Sequence, residues 1–211
     1  MPNRRDRERR TRRRAPFREP RPIILIVCEG ENTEPQYLEG LRRACRNPRV
    51  DILVHHKHGV PRTLVEIARQ SKREAETKAR REGDDNLAYD SVWCVFDIDD
   101  HPNVPDARQM ARDNGIELAI SNPCIELWLL LHFRDNPGMQ HRDKLKMMLA
   151  EEAPGYDKTV NYAVYAEGRP EATIRAKRMD ELAESRGEPG GNPTTGVYKL
   201  TELIAAKDSG V

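Results

Sequence analysis

Glu29, Glu31 and Glu34 follow directly on the apolar run Ile24–Cys28. Asp97, Asp99 and Asp100 follow a second apolar run, Ser91–Phe96, and a seventh acid, Glu126, sits in the stretch SNPCIELW. Carboxylates this dense disfavour one another's ionised form unless a cation offsets them. A set of oxygen ligands selects hard ions, here Mg²⁺ or Mn²⁺. Such ions handle phosphates: one generates a hydroxide, and a second stabilises the leaving oxygen. A separate reading needs no metal. Acids in the first turn of a helix stabilise it by ~0.3–1 kcal/mol each through the macrodipole, which accounts for Glu34 and Glu126.

The acids act together only if the fold brings them together. Strands are expected at Ile23–Cys28, Val50–His55, Ser91–Phe96 and Ile116–Ile120. Between and after them the spacing predicts a helix from Thr33 to about Cys45, then helices over Pro61–Glu82, Pro105–Asn114 and Pro123–Phe133. In the first, Thr33 and Gln36 read as a Thr-x-x-Gln capping box with Pro35 in the first turn, and Tyr37, Leu38, Leu41 and Cys45 share one face. Trp128 and Leu129 to Leu131 read as core. Strands separated by helices, each strand a near-continuous apolar run, imply an α/β class. The sheet is mostly parallel and Rossmann-like, with helices on both faces. Less apolar helices at Arg142–Ala150, Pro170–Ser185 and Thr195–Ala206 form a helical C-terminal part, about 134–211, of a domain spanning 22–211. In an open α/β sheet, ligands bind beyond the carboxyl ends of the strands. Three strand ends here carry acids, so Glu29 and Glu31, Asp97 and Asp99, and Glu126 are expected to face one crevice.

Charge is unevenly distributed. Residues 1–21 hold ten arginines and three acids, and almost nothing apolar. Such an arm is expected to be disordered alone. Its guanidinium groups, Arg12, Arg13 and Arg14 among them, suit the phosphates of DNA or RNA, although a solubilising tail has the same composition. No run approaches the ~18 apolar residues of a membrane span, and none matches the ~7–15-residue apolar region of a signal peptide. The expected setting is therefore cytoplasmic. Cys28, Cys45, Cys94 and Cys124 form no CxxC pair and read as small core residues of a reducing compartment.

Strand–Glu-Gly followed by strand–Asp-x-Asp resembles the Toprim domain of topoisomerases, primases and overcoming-lysogenization-defect nucleases. More closely, IVCEGENTEPQYLEGL, VWCVFDIDDH, ISNPCIELWLLLHF and NPTTGVYKL, in that order from about Ile23 to Leu203, resemble the RloB-like family. The resemblance implies a Toprim-like fold and a metal-dependent nuclease. It also implies a place in restriction-modification and phage-defence loci, often beside an AAA-type ATPase. By position, Glu29 matches the Toprim glutamate, a general base or metal ligand, and Asp97 and Asp99 match the D-x-D metal ligands. The second acid of the nuclease pattern falls in a loop one residue longer here, which leaves both Glu31 and Glu34 as candidates. Glu126 completes the set.

Other groups have weaker claims. Gly30 admits a tight turn or the close approach of a phosphate or metal. Asp100, His101, Asn122 and Lys158 are accessory positions, and Lys158 and Lys199 are candidate cationic clamps. His55, His56 and His58 lack the spacing of a zinc site. Ser121 and Cys124 lack a His–Asp arrangement that would make them nucleophiles. A chain of 211 residues leaves no room for topoisomerase gate domains, and it has no P-loop motif of its own. The competing expectation is a non-catalytic, Mg²⁺-binding nucleic-acid or regulatory subunit of a partner ATPase. DNA and RNA substrates stay open, as does the oligomeric state.

Overall fold

The computed structural model describes residues 21–54, 60–98 and 104–206. The strands are β1 (Ile24–Cys28), β2 (Val50–Val54), β3 (Ser91–Asp97), β4 (Glu117–Asn122) and β5 (Thr194–Thr195). The helices are α1 (Thr33–Ala44), α2 (Pro61–Glu82), α3 (Val104–Asp113), α4 (Ile125–Leu130), α5 (Arg142–Glu152), α6 (Arg169–Ser185) and α7 (Val197–Ala205). Two single 3₁₀ turns add to these at Asp85–Leu87 and Tyr162–Val164. The sheet order is β2-β1-β3-β4-β5. β1 pairs in parallel with β2 and β3, β3 pairs in parallel with β4, and β5 runs antiparallel to β4. The expected α/β, mostly parallel, Rossmann-like sheet with helices on both faces is the observed one.

Strand alternation sorts the core into two layers. Ile24, Ile26, Cys28, Trp93 and Val95 face a layer built by α1 and α4 to α7, whereas Leu25, Val27, Val92, Cys94 and Phe96 face Leu64, Val65 and Ala68 of α2 and Ala107 and Ala111 of α3. All five residues of β1 are buried, as a strand covered on both faces requires. Trp128 and Leu129 to Leu131 are fully buried, so their reading as core holds. Leu145, Leu149, Ala176, Met179, Leu200 and Ile204 join the same core cluster as α1 and α4. The C-terminal helices are therefore part of one sheet-covering layer. Cys28, Cys94 and Cys124 are buried, Cys45 is half-buried, and all four are free thiols. No helix among the described residues is long and apolar enough to cross a membrane.

Several local expectations need correction. The capping box does not form: Asn32 is the N-cap and makes no side-chain cap bond. Thr33 Oγ1 instead donates to the Lys158 carbonyl at 3.2 Å, and Gln36 Oε1 accepts from the Val160 N–H at 2.7 Å. Tertiary partners have taken both side chains from the helix end. α4 is shorter than the apolar run that announced it, because the run continues into a turn at Leu131–Phe133. The helix expected from Thr195 begins only at Val197, and Thr195 joins Thr194 in β5 instead. Its two threonines carry no periodicity of their own, and Ser121 and Asn122 recruit them.

Candidate functional site

β1 delivers Glu29 at the carboxyl edge of the sheet, where its N–H donates to the Val95 carbonyl of β3 at 3.0 Å. β3 ends on Asp97, in register with Ser121, and the Ile98 N–H donates to the Ser121 carbonyl at 2.8 Å. Alternation puts Asp97 on the face of Trp93 and Val95, toward α1 and α4. The first turn of α1 supplies Glu34 and the first turn of α4 supplies Glu126, both acids buried. Glu29, Glu34, Asp97 and Glu126, distant along the chain, thus line one cavity of about 290 Å³, joined by Arg142 and Lys146 of α5 and by Lys158.

The two candidates for the second acid differ in burial. Glu34 is 7% exposed, whereas Glu31 lies on the open side of the same cavity. Burial above all, then the charges of Glu126 and Glu29, pushes the Glu34 carboxyl up to about 7, against the pull of backbone N–H groups at Glu34 and Gly30. A Cβ at position 30 would collide with the Glu34 carboxylate. Gly30 has no left-handed φ, so close approach, and not the tight turn, is what requires glycine there.

Glu126 is 4% exposed and accepts a hydrogen bond from the Tyr156 hydroxyl at 3.1 Å. The same hydroxyl lies 3.4 Å from Thr33 Oγ1, and burial, then Glu126, raises its pKa. Burial and the nearby Glu126 and Asp97 push the Cys124 thiol up. Ser121 Oγ is engaged with Thr195 Oγ1 at 2.9 Å. Neither is an activated nucleophile, as expected.

Not every predicted position reaches the cavity. Asn122 turns away, donating through Nδ2 to the Gly190 carbonyl at 2.9 Å, so it anchors the loop before β5. Lys199 stands 3.7 Å from Asp180 and lines a different cavity, with Arg108. Asp99, Asp100, His101, His55, His56, His58 and the arginines at 12, 13 and 14 lie outside the described residues. Arg142, Lys146 and Tyr156 were missed. The first two sit at i and i+4 on a helix, a spacing that marks one face, but a charged face reads as solvated until the sheet edge is known to lie opposite.

Among the described residues no three His, Cys, Asp or Glu side chains form a group that could hold a metal ion. The chemistry of the donors nevertheless fits a hard divalent cation. They are carboxylates, and the burial, and after it the charges of Glu126 and Glu29, that push Glu34 up are what such a cation would offset. The cavity thus sets these acids beside the cations Arg142, Lys146 and Lys158, an arrangement that can take an anionic ligand.

The family model described as RloB-like protein matches residues 24–204. No curated protein and no solved structure matches the chain.

Proposed function

The chain belongs to the RloB-like family, and we propose that it is a divalent-metal-dependent nuclease that hydrolyses nucleic-acid phosphodiesters. The observation that supports this reading is the convergence of Glu29, Glu34, Asp97 and Glu126 from three parts of the chain on one cavity rimmed by Arg142, Lys146 and Lys158. Those four acids are the residues that would hold Mg²⁺ or Mn²⁺, which supplies charge neutralisation and an activated water. Asp99 joins them in this reading by its match to the D-x-D pattern.

The chain's own groups have separable tasks. Arg142, Lys146 and Lys158 bind the phosphate and offset the charge that builds up on it. Tyr156 orients Glu126 through its hydrogen bond. Glu34, pushed up to about 7 in the metal-free site, would have to give up its proton to serve as a ligand, which ties metal affinity to pH. The arginine-rich residues 1–21 add sequence-blind phosphate contacts. A cytoplasmic phage-defence role beside a partner ATPase belongs to the same reading and rests on the family alone.

The test is cleavage of DNA and of RNA by the purified full chain with Mg²⁺ or Mn²⁺, compared with Asp97→Asn and Glu29→Gln. The expected result is cutting that both substitutions abolish. Cutting that survives both would move the chemistry elsewhere in the chain. Metal-dependent binding without cutting, alone or with the ATPase, would leave a non-catalytic binding subunit in its place.

A further inference from the structure

We infer that Lys158 contacts a phosphate of the bound strand and that Thr33 and Gln36 are positioning residues that hold it there. This rests on the nuclease reading only in taking the ligand to be a nucleic-acid strand. Thr33 and Gln36 stand three residues apart at the start of α1, where their types suit a capping box, yet neither caps the helix. Thr33 Oγ1 donates to the carbonyl of Lys158, and Gln36 Oε1 accepts from the N–H of Val160. The two side chains grip the backbone at Lys158 and two residues beyond it, across more than a hundred residues of sequence.

The gripped residue has an uncommon backbone. Lys158 has φ +74°, in the left-handed region that a side chain with a Cβ disfavours. Asn or Gly would adopt it more cheaply, and the same loop does use glycine at Gly155, where φ is +89°. A lysine held there against its preference points to a use for its amine. Lys158 is one of the residues that line the cavity of Glu29, Glu34, Asp97 and Glu126. Among the described residues no carboxylate pairs with it, whereas Lys177 and Lys199 each stand within 4 Å of an acid. Two residues earlier, Tyr156 ties the same loop to Glu126. The loop is therefore fastened at three points to α1 and α4, the two helices that carry buried acids of the site. An exposed lysine whose backbone is fixed in the wall of an anionic cavity can offer its ammonium to the nonbridging oxygens of a phosphate bound there.

The test reads binding, not cleavage. A fluorescein-labelled single-stranded DNA, and the RNA of the same sequence, are titrated with the full chain carrying Asp97→Asn in the presence of Mg²⁺ over a series of salt concentrations. A lost phosphate contact flattens the slope of log K against log[salt] by about 0.7 for a single strand. Lys158→Ala is expected to flatten it by that amount and Lys158→Arg to keep it. Thr33→Val with Gln36→Leu removes no charge, yet is expected to flatten the slope equally, and adding Lys158→Ala to that pair should change nothing more. Thr33→Ser should restore the slope where Thr33→Val loses it. A slope unmoved by Lys158→Ala, or losses that add when the substitutions are combined, would overturn the inference, as would a chain that binds neither strand. Non-additivity separates positioning from a general loss of folding, which near-ultraviolet circular dichroism reads independently. A chain that binds with this pattern but never cuts sinks the nuclease reading alone. A chain that cuts while Lys158→Ala leaves the slope intact sinks this inference alone.

Discussion

The Glu34 carboxylate lies over Gly30, in the volume that a Cβ at position 30 would take up. The loop between β1 and α1 is thus folded back on its own glycine, and backbone N–H groups at Gly30 and Glu34 help to keep the acid ionisable in a buried place. Gly30→Ala must move the carboxylate, since the colliding atoms are those of a buried side chain in the first turn of α1. Displacements of about 1 Å in a reacting group cost about 10²-fold in rate. Cleavage by Gly30→Ala should fall by about that factor with the thermal midpoint little changed. Steady-state assays and a melting curve measured together check both halves.

Glu34 also sets a stability that depends on pH. Its carboxyl titrates at about 7 in the fold, against 4.5 when unperturbed. A raised carboxyl pKa means that the folded state keeps a proton the unfolded state gives up. The stability it contributes is complete below pH 4.5 and is lost as pH rises to 7, by about 3 kcal/mol at most. Glu34→Gln should abolish cleavage and yet make the metal-free protein more stable at pH 8. Urea unfolding in a chelator at pH 5 and pH 8 reads this, and a wild-type protein no weaker at pH 8 than its Gln variant would refute it.

His132 acts in the opposite direction. It is 5% exposed, sits edge-on to Tyr37, Trp128 and Tyr165, and is bonded through its ring nitrogens to the Tyr37 hydroxyl and the Trp128 carbonyl. Burial pulls its pKa down to about 4 from 6.5. Above pH 6.5 both states are neutral. As pH falls toward 4 the unfolded chain takes up a proton that the folded chain refuses, at a cost of about 3 kcal/mol. His132→Gln is expected to be less stable at pH 7 but to lose little further between pH 6.5 and 4. Unfolding free energies across that window give the slope directly.

The sheet was legible because its strands are apolar on both faces, a pattern that only a doubly covered strand needs. Glu29, Asp97 and Glu126 were legible because each follows or opens an element whose end the sequence marks. What escaped reading was tertiary. Thr33 and Gln36 have the types and spacing of a cap, and only the presence of the Lys158 loop above them redirects their hydrogen bonds. Tyr156 lies between turn residues with no periodicity to give its direction, so its bond to Glu126 has no counterpart in sequence. Asn122 is an accessory position in the sequence, but the carbonyl of Gly190, nearly seventy residues on, claims its amide.

Lys158 allows backbone and side chain to be tested apart. Its left-handed φ costs an L-residue about 1–2 kcal/mol, and glycine avoids that cost while losing about 0.5–1 kcal/mol through the greater freedom of the unfolded chain. Lys158→Gly should therefore stabilise the protein by roughly 0.5–1 kcal/mol. Lys158→Ala keeps the strain and should leave stability close to that of the wild type, since Lys158 is exposed and bonded only through its backbone. Both substitutions remove the same amine. If the amine serves the substrate, cleavage falls alike in the two variants while their unfolding midpoints separate. Equal midpoints would show that the φ of this residue carries no strain, and unequal cleavage would show that the loop's rigidity, and not the charge at its tip, is what the site uses.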